Sequence, residues 1–164
     1  SANATAHYLY AEACKGQGDD VNTIAMATKA ISLDSKQGNA YLLRGETYLH
    51  TQQLTEAEAD VAWLLEHTED NEDVLLLKAR IERAATRNNE AIEYFTKAID
   101  ANPFSYTAFK ERSEMYSLVG NEAKAKEDAE RAEELMPTDG KENVEENIEK
   151  QLNDKYKQMN PYGF

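Results

Sequence analysis

Apolar residues recur every three or four positions along most of the chain, with polar residues between them. Val74, Leu75 and Ala79 follow this spacing, as do Phe95 and Ile99 further along. It is the period of an α-helix that buries one face. Short polar or glycine-containing segments interrupt the pattern at 16–19, 51–53, 86–89 and 120–121. The pattern therefore predicts pairs of helices, each of about 12–14 residues, joined by tight turns.

The chain also aligns with itself at a shift of 34 residues. This shift divides it, without an insertion, into units 1 to 4, which span 4–37, 38–71, 72–105 and 106–139. One position of every unit holds a small residue, namely Ala11, Gly45, Ala79 and Ser113. A second such position holds Thr23, Ala57, Ala91 and Ala125. Small side chains let two antiparallel helices approach closely, so each unit predicts one helical hairpin.

The chain resembles the tetratricopeptide repeat (TPR) family in its 34-residue period and in the spacing of small and large residues within each unit. Unit 2 carries the matching residues Tyr41, Gly45, Tyr48, Ala57, Val61 and Leu64. Unit 3 carries Leu75, Ala79, Ala91, Phe95, Ala98 and Pro103, and unit 4 carries Phe109, Ser113, Tyr116, Ala125, Ala132 and Pro137. Unit 1 departs most, as a terminal unit of a stack is expected to do. The resemblance implies an all-α fold, a right-handed α-solenoid of antiparallel hairpins.

The segment 140–164 continues the helical pattern beyond the last unit. Its apolar residues at spacings of three or four are Val144, Ile148, Leu152, Tyr156 and Met159. We expect one amphipathic helix that caps the last hairpin, followed by a short tail at 162–164 that packs on this molecule or on a neighbour. Residues 1–164 are then expected to form a single domain.

Composition narrows the classes of function. Among 164 residues there are 31 Asp and Glu against 18 Lys and Arg, which gives a net charge of −13. Such a surface repels a phosphate backbone, so nucleic-acid binding is not expected, and the apolar runs are too short for membrane insertion. One cysteine, Cys14, allows no disulfide within the chain. The compartment is left open, with the cytoplasm slightly favoured over the periplasm.

No catalytic or metal-binding constellation is evident. His7, His50 and His67 are far apart in sequence, and no pair has the spacing of a helical metal site. Cys14 falls in a small core position and is interpreted as packing, as is Trp63. The prediction is a protein that is not an enzyme and that needs no cofactor or metal.

In the resembling family, the first helices of the units line a concave face that binds peptides. Some members hold a terminal carboxylate there with Lys, Asn and Arg, but this chain has Tyr8, Glu12, Leu43, Asp73 and Leu77 at those places. The predicted groove is instead apolar with charged flanks, and it comprises Tyr8, Leu9, Glu12, Leu42, Leu43, Glu46, Leu49, His50, Leu76, Leu77, Arg80, Arg83 and Lys110. An alternative is that some of these leucines pack between the first helices of adjacent units.

Two functions follow from this interpretation. The first is an interaction module that takes an apolar or amphipathic segment of another protein into the groove, with Arg80, Arg83 and Lys110 opposite Glu12 and Glu46 setting the direction of the segment. The alternative is a self-assembling scaffold, a weak homo-oligomer formed through the C-terminal helix or tail. The sequence does not identify the protein or peptide partner.

Two units share a pair of opposite charges. Arg44 and Asp60 in unit 2 stand where unit 4 has Arg112 and Asp128, whereas units 1 and 3 have other residues at both positions. In an antiparallel hairpin the two positions lie at the same height. We therefore predict ion pairs Arg44–Asp60 and Arg112–Asp128 within the hairpins, with bidentate geometry and a structural role.

Overall fold

The computed structural model describes residues 1–137, 148–150 and 152–155. Residues 1–137 form eight helices: α1 (Ala2–Gly16), α2 (Asp20–Leu33), α3 (Gly38–His50), α4 (Leu54–His67), α5 (Glu72–Ala84), α6 (Asn88–Ala101), α7 (Tyr106–Leu118) and α8 (Glu122–Leu135). Residues 148–150 and 152–155 are also helical, and the described residues contain no strand. Consecutive helices pack as antiparallel pairs that stack along the chain. The predicted all-α solenoid is confirmed.

Polar side chains start several helices. Ser1, Asp19, Asn71, Ser105 and Asn121 each accept a hydrogen bond from a backbone N–H in the first turn of the helix that follows. Those N–H groups have no partner within the helix, so a side-chain acceptor satisfies them and marks where the helix begins.

The turn inside every hairpin has the same backbone geometry. Gly18, Gln52, Thr86 and Gly120 occupy matched positions, and all have a positive φ, between 61° and 79°. The next residue donates its N–H to a carbonyl near the end of the first helix, at 2.8–3.0 Å. This left-handed cap ends the first helix and reverses the chain. Glycine adopts it readily, whereas Gln52 and Thr86 do so at a cost in free energy.

The small positions allow close helix contact, as predicted. A Cβ atom placed on Gly45 would lie 3.1 Å from a methyl carbon of Leu77 on α5 and 3.3 Å from the Cβ of Asp60 on α4. Ala11 and Ala79, at the matched positions in units 1 and 3, are completely buried. Small residues therefore let the first helix of a unit touch both its own partner helix and the next unit.

Both predicted ion pairs are present, and both are bidentate. Arg44 donates from Nε and Nη2 to the two carboxylate oxygens of Asp60 at 2.8 and 2.6 Å. Arg112 does the same to Asp128 at 2.7 and 2.8 Å. Each arginine also donates from Nη1 to a threonine of the preceding unit, Thr28 at 3.1 Å or Thr96 at 3.0 Å. The pairs therefore also connect unit 1 to unit 2 and unit 3 to unit 4.

The C-terminal segment agrees with the sequence only in part. Ile148 and Leu152 lie in helical residues, and their side chains are more than half exposed. The role of this segment as a cap stays a prediction. The other residues used to predict this helix and the tail, Val144, Tyr156, Met159 and 162–164, lie outside the described residues. Self-assembly through the tail stays a prediction.

Candidate functional site

The first helices form the inner face of the stack. α1 contacts α3, and α3 contacts α5, whereas the second helices of adjacent units make no comparable contact in the described part of the chain. Elements on the inside of a curve lie closer together than those on the outside. The first helices, which carry the predicted groove residues, therefore lie on the concave side, where neighbouring units approach each other.

A pocket of about 370 Å³ lies between α1 and α3 on this face. It is lined by Tyr8, Glu12, Lys15, Gly16, Asn39, Leu42, Leu43 and Glu46. Five of these residues belong to the predicted groove. They come together because residues one helical turn apart lie on the same side of a helix, and α1 and α3 are adjacent. Leu9, Leu49, His50 and the predicted residues of units 3 and 4 are outside it.

The pocket has a polar rim that is already organised. The Tyr8 hydroxyl donates a hydrogen bond of 2.6 Å to Glu12, and Lys15 pairs with Glu46. Burial, the hydrogen bond to Glu12 and the charges of Glu12 and Glu46 raise the pKa of Tyr8 to about 12. At neutral pH, Tyr8 is thus an uncharged donor. Two carboxylates and one ammonium group leave the rim with a net negative charge.

The prediction that Leu43 and Leu76 keep exposed surface is wrong. They are only 7% and 5% exposed, and Leu77 is fully buried. Leu43 shares a buried cluster with Ala11 of α1, and Leu76 shares one with Ala108 of α7. The alternative interpretation holds for these three leucines: first helices of adjacent units are so close that the leucines fill the space between them. Leu42 and Leu49 are partly exposed, and Leu9 is exposed.

The basic residues of units 3 and 4 are largely neutralised. Arg80 donates from Nε to both oxygens of Glu111 at 3.1 and 2.9 Å. Arg83 lies 3.3 Å from the same carboxylate and 3.8 Å from Glu114. Lys110 is exposed, with its Nζ 5.8 Å from the centroid of the Tyr106 ring. The arginines therefore join α5 to α7 rather than presenting free positive charge to a partner.

His50 and Trp63 have structural contacts. His50 is exposed, and its Nδ1 lies 3.0 Å from a carboxylate oxygen of Asp20. Trp63 is partly buried and stacks between Tyr41, with ring centroids 3.8 Å apart, and His67, at 4.5 Å. Trp63 also packs against the buried cluster of units 2 and 3. Its predicted packing role is confirmed.

Sequence reasoning missed a buried carboxylate. Glu82 is buried on α5, and it pairs with Lys78 on the same helix and with Arg87 at the start of α6. Arg87 also pairs with Glu58 of unit 2. Burial acts to raise the pKa of Glu82, but the hydrogen bonds from Arg87 and Lys78 outweigh it and hold that pKa below its usual value. The matched position in unit 2 holds Tyr48. An acidic residue at a position where another unit has a large aromatic residue was the sequence signal that could have indicated this buried carboxylate.

Residues 72–105 match the model of the tetratricopeptide repeat family. This span is the same as unit 3 of the internal alignment, and three further units with the same hairpin and turn geometry adjoin it. Unit 3 is therefore a tetratricopeptide repeat, and the chain has the fold of TPR proteins. No curated protein shows significant sequence similarity to this chain.

Solved structures with a similar fold include TPR proteins. MamA from Desulfovibrio magneticus RS-1 has a TM-score of 0.74 and 17% identity, over 80% of this chain and 75% of that one. A thermophilic TPR protein from Thermus thermophilus has a TM-score of 0.71 and 15% identity, over 80% and 74%. A tetratricopeptide repeat protein from Parabacteroides merdae has a TM-score of 0.73 and 21% identity, over 99% and 66%. At these identities the likeness concerns the fold.

Within the parts of the chain that the structure describes, no helix is both long and apolar enough to span a bilayer. Among the same residues, no three His, Cys, Asp or Glu side chains come together as a metal-binding group.

Proposed function

We propose that this protein is an interaction module that holds an apolar or amphipathic segment of a partner protein on its inner face, anchored in the pocket between α1 and α3. The family match supports a role in protein–protein interaction or as a scaffold. The observation that carries the finer proposal is the pocket itself, which gathers Tyr8, Glu12, Leu42 and Glu46 at one place on the face where the groove was predicted.

The size of the pocket favours one anchoring side chain. Its volume of about 370 Å³ is at the small end of the range for ligand pockets, about 300–1,000 Å³. Burying one large apolar side chain contributes about 1.5–3 kcal/mol before the costs of ordering are subtracted. The remaining affinity must come from chain that continues along the inner face toward α5 and α7.

The charge at the rim favours a basic residue next to that anchor. Glu12 and Glu46 contribute two negative charges, and Lys15 offsets one of them. Tyr8 adds a neutral hydroxyl donor that is committed to Glu12. A Lys or Arg of the partner, one turn or one strand position from the apolar anchor, would meet this excess negative charge.

The test uses peptides selected from a displayed random library on the wild-type protein. Each selected peptide is then measured by fluorescence anisotropy with the wild type, with Leu42→Glu and with a control, Val21→Glu, at an exposed position of α2. We expect Leu42→Glu to weaken binding by at least about tenfold, which corresponds to a loss of about 1.4 kcal/mol in binding free energy. We expect the control variant to bind with the affinity of the wild type. Equal affinity for Leu42→Glu and wild type would refute the pocket as the anchor site.

A further inference from the structure

The two carboxylates at the rim of the pocket between α1 and α3 have different partners. Glu12 accepts a hydrogen bond of 2.6 Å from the hydroxyl of Tyr8, one helical turn earlier on α1. Glu46, on α3, forms an ion pair with Lys15 of α1. Because a hydroxyl is a neutral partner and an ammonium group is a charged one, the two carboxylates differ in the negative charge that each leaves at the rim.

The charge of Glu46 is compensated from two sides. Lys15 neutralises it directly, and this pair also joins α1 to α3. Arg80 of the next unit is close enough to be attracted as well. The hydrogen bond to Glu111 is the largest cause that raises the pKa of Arg80, and the charge of Glu46 acts in the same direction. Glu46 therefore holds neighbouring first helices together and offers little free charge to a ligand.

The charge of Glu12 is not compensated in this way. It is exposed, and it forms no ion pair with any residue that the structure describes. Tyr8 stays protonated at neutral pH, because burial and the hydrogen bond to Glu12 raise the pKa of Tyr8 to about 12. Lys15 is three residues away on the same helix, but it is bound to Glu46. Glu12 thus carries the net negative charge of the rim.

We propose that Glu12 determines the specificity of the pocket by pairing with a Lys or Arg beside the partner's apolar anchor, and that Tyr8 positions it. This inference rests on the proposed function and assigns the preference for a basic residue to one side chain. The Tyr8 hydroxyl binds one carboxylate oxygen, Oε1, and so holds the carboxylate at the rim. The other oxygen accepts no hydrogen bond from the described residues, so it can accept one from the partner's ammonium or guanidinium group.

The test uses the library-selected peptides whose binding is weakened by Leu42→Glu, since these occupy the pocket. Each is compared with a version in which norleucine replaces the Lys beside the apolar anchor; an Arg at that place is first changed to Lys. Norleucine keeps the aliphatic chain and lacks the charge, so the ratio of the two dissociation constants measures the preference for a cation. The wild type should prefer the Lys peptide by about three- to fivefold at low salt, the range of exposed ion pairs. This preference should decline as ionic strength rises.

Matched variants separate Glu12 from the other charges. Glu12→Gln should abolish the preference, and Tyr8→Phe, which keeps the ring in the pocket wall, should reduce it by weakening the Lys peptide. Glu56→Gln removes the same charge at an exposed position of α4 and should keep the preference. Lys15→Met/Glu46→Gln removes the neighbouring pair as a whole, so that no lysine is released toward Glu12. This double variant can alter the affinity for both peptides, but their ratio should stay as in the wild type.

Three results would overturn the proposal and leave the pocket as the anchor site. The first is equal binding of the two peptides by the wild type, or selected peptides that depend on Leu42 and carry no basic residue beside the anchor. The second is a preference that survives in Glu12→Gln. The third is a preference that is lost in Lys15→Met/Glu46→Gln, which would assign recognition to Glu46. If Leu42→Glu weakens none of the selected peptides, the proposed function is refuted and this inference with it.

Discussion

Replacing Asp60 by alanine removes both acceptors of the bidentate pair with Arg44. The Asp60 side chain is 3% exposed and that of Arg44 is 16% exposed, so the guanidinium would be left in a site that water reaches poorly. Breaking a buried pair by removing one partner costs about 3–5 kcal/mol. Arg44 keeps its bond to Thr28 and its place over the rings of Tyr41 and Tyr48. We therefore expect a loss near the lower limit, about 3 kcal/mol in the free energy of unfolding.

The reverse change should cost more. Arg44→Met leaves the carboxylate of Asp60 almost fully buried without its two donors, so we expect a loss near the upper limit, about 5 kcal/mol. The double variant Arg44→Met/Asp60→Leu removes both charges and keeps most of the volume. Its loss should be far below the sum of the single losses, because an uncompensated buried charge is then absent.

The assay is urea unfolding followed by far-UV circular dichroism for the wild type, both single variants and the double variant. Unit 4 provides an internal replicate, since Asp128→Ala breaks a pair of the same geometry. Asp70→Ala, at an exposed loop position, is the matched control and should change stability by less than about 0.5 kcal/mol. The reasoning is refuted if Asp60→Ala lowers the free energy of unfolding by less than about 1 kcal/mol, which is the range of exposed ion pairs. It is also refuted if the loss in the double variant equals the sum of the losses in the two single variants.

Three further changes test other parts of the fold. Gly45→Val should destabilise by about 1–3 kcal/mol through overpacking, whereas Gly16→Ala, with no atom within 4 Å of the new Cβ, should be neutral or stabilising in thermal melts. Thr86→Gly should stabilise by about 0.5–1 kcal/mol, and Gly120→Thr should destabilise by about 1–2 kcal/mol, because both sites have a left-handed backbone; opposite signs would contradict this. The folded pKa of Glu82 lies below its unfolded value of about 4.3, so this carboxylate stabilises the fold above that pH, and its contribution is lost as pH falls through the folded pKa. The difference in urea midpoint between the wild type and Glu82→Gln should therefore shrink as the pH falls through that pKa. A difference that stays constant with pH would contradict this prediction.

Features that repeat along the chain could be predicted from the sequence. The helical period, the small residues at matched positions and the arginine and aspartate at equal heights in units 2 and 4 all depend on spacing within one hairpin. Hairpin geometry is determined locally, by the helical repeat and a turn of constant form, so spacing translates directly into contact. This is why the spacing of Arg44 and Asp60 along the chain was enough to pair them.

Contacts between units could not be predicted from spacing in this way. Leu42 and Leu43 are neighbours in one helix, look equivalent in the sequence and both line the pocket, yet Leu42 is partly exposed whereas Leu43 is buried against Ala11 of α1. Arg80 was expected to face a partner, but Glu111 of the next unit neutralises it.

The sequence by itself determined the helices, their pairing into hairpins, the repeat and the ion pairs within units 2 and 4. Only the tertiary structure decided which leucines of the inner face are covered and which charges are neutralised between units. The physical reason is that these properties depend on the distance and angle between adjacent hairpins. Many small contacts spread over two units set that distance and angle, and no single stretch of the chain records them.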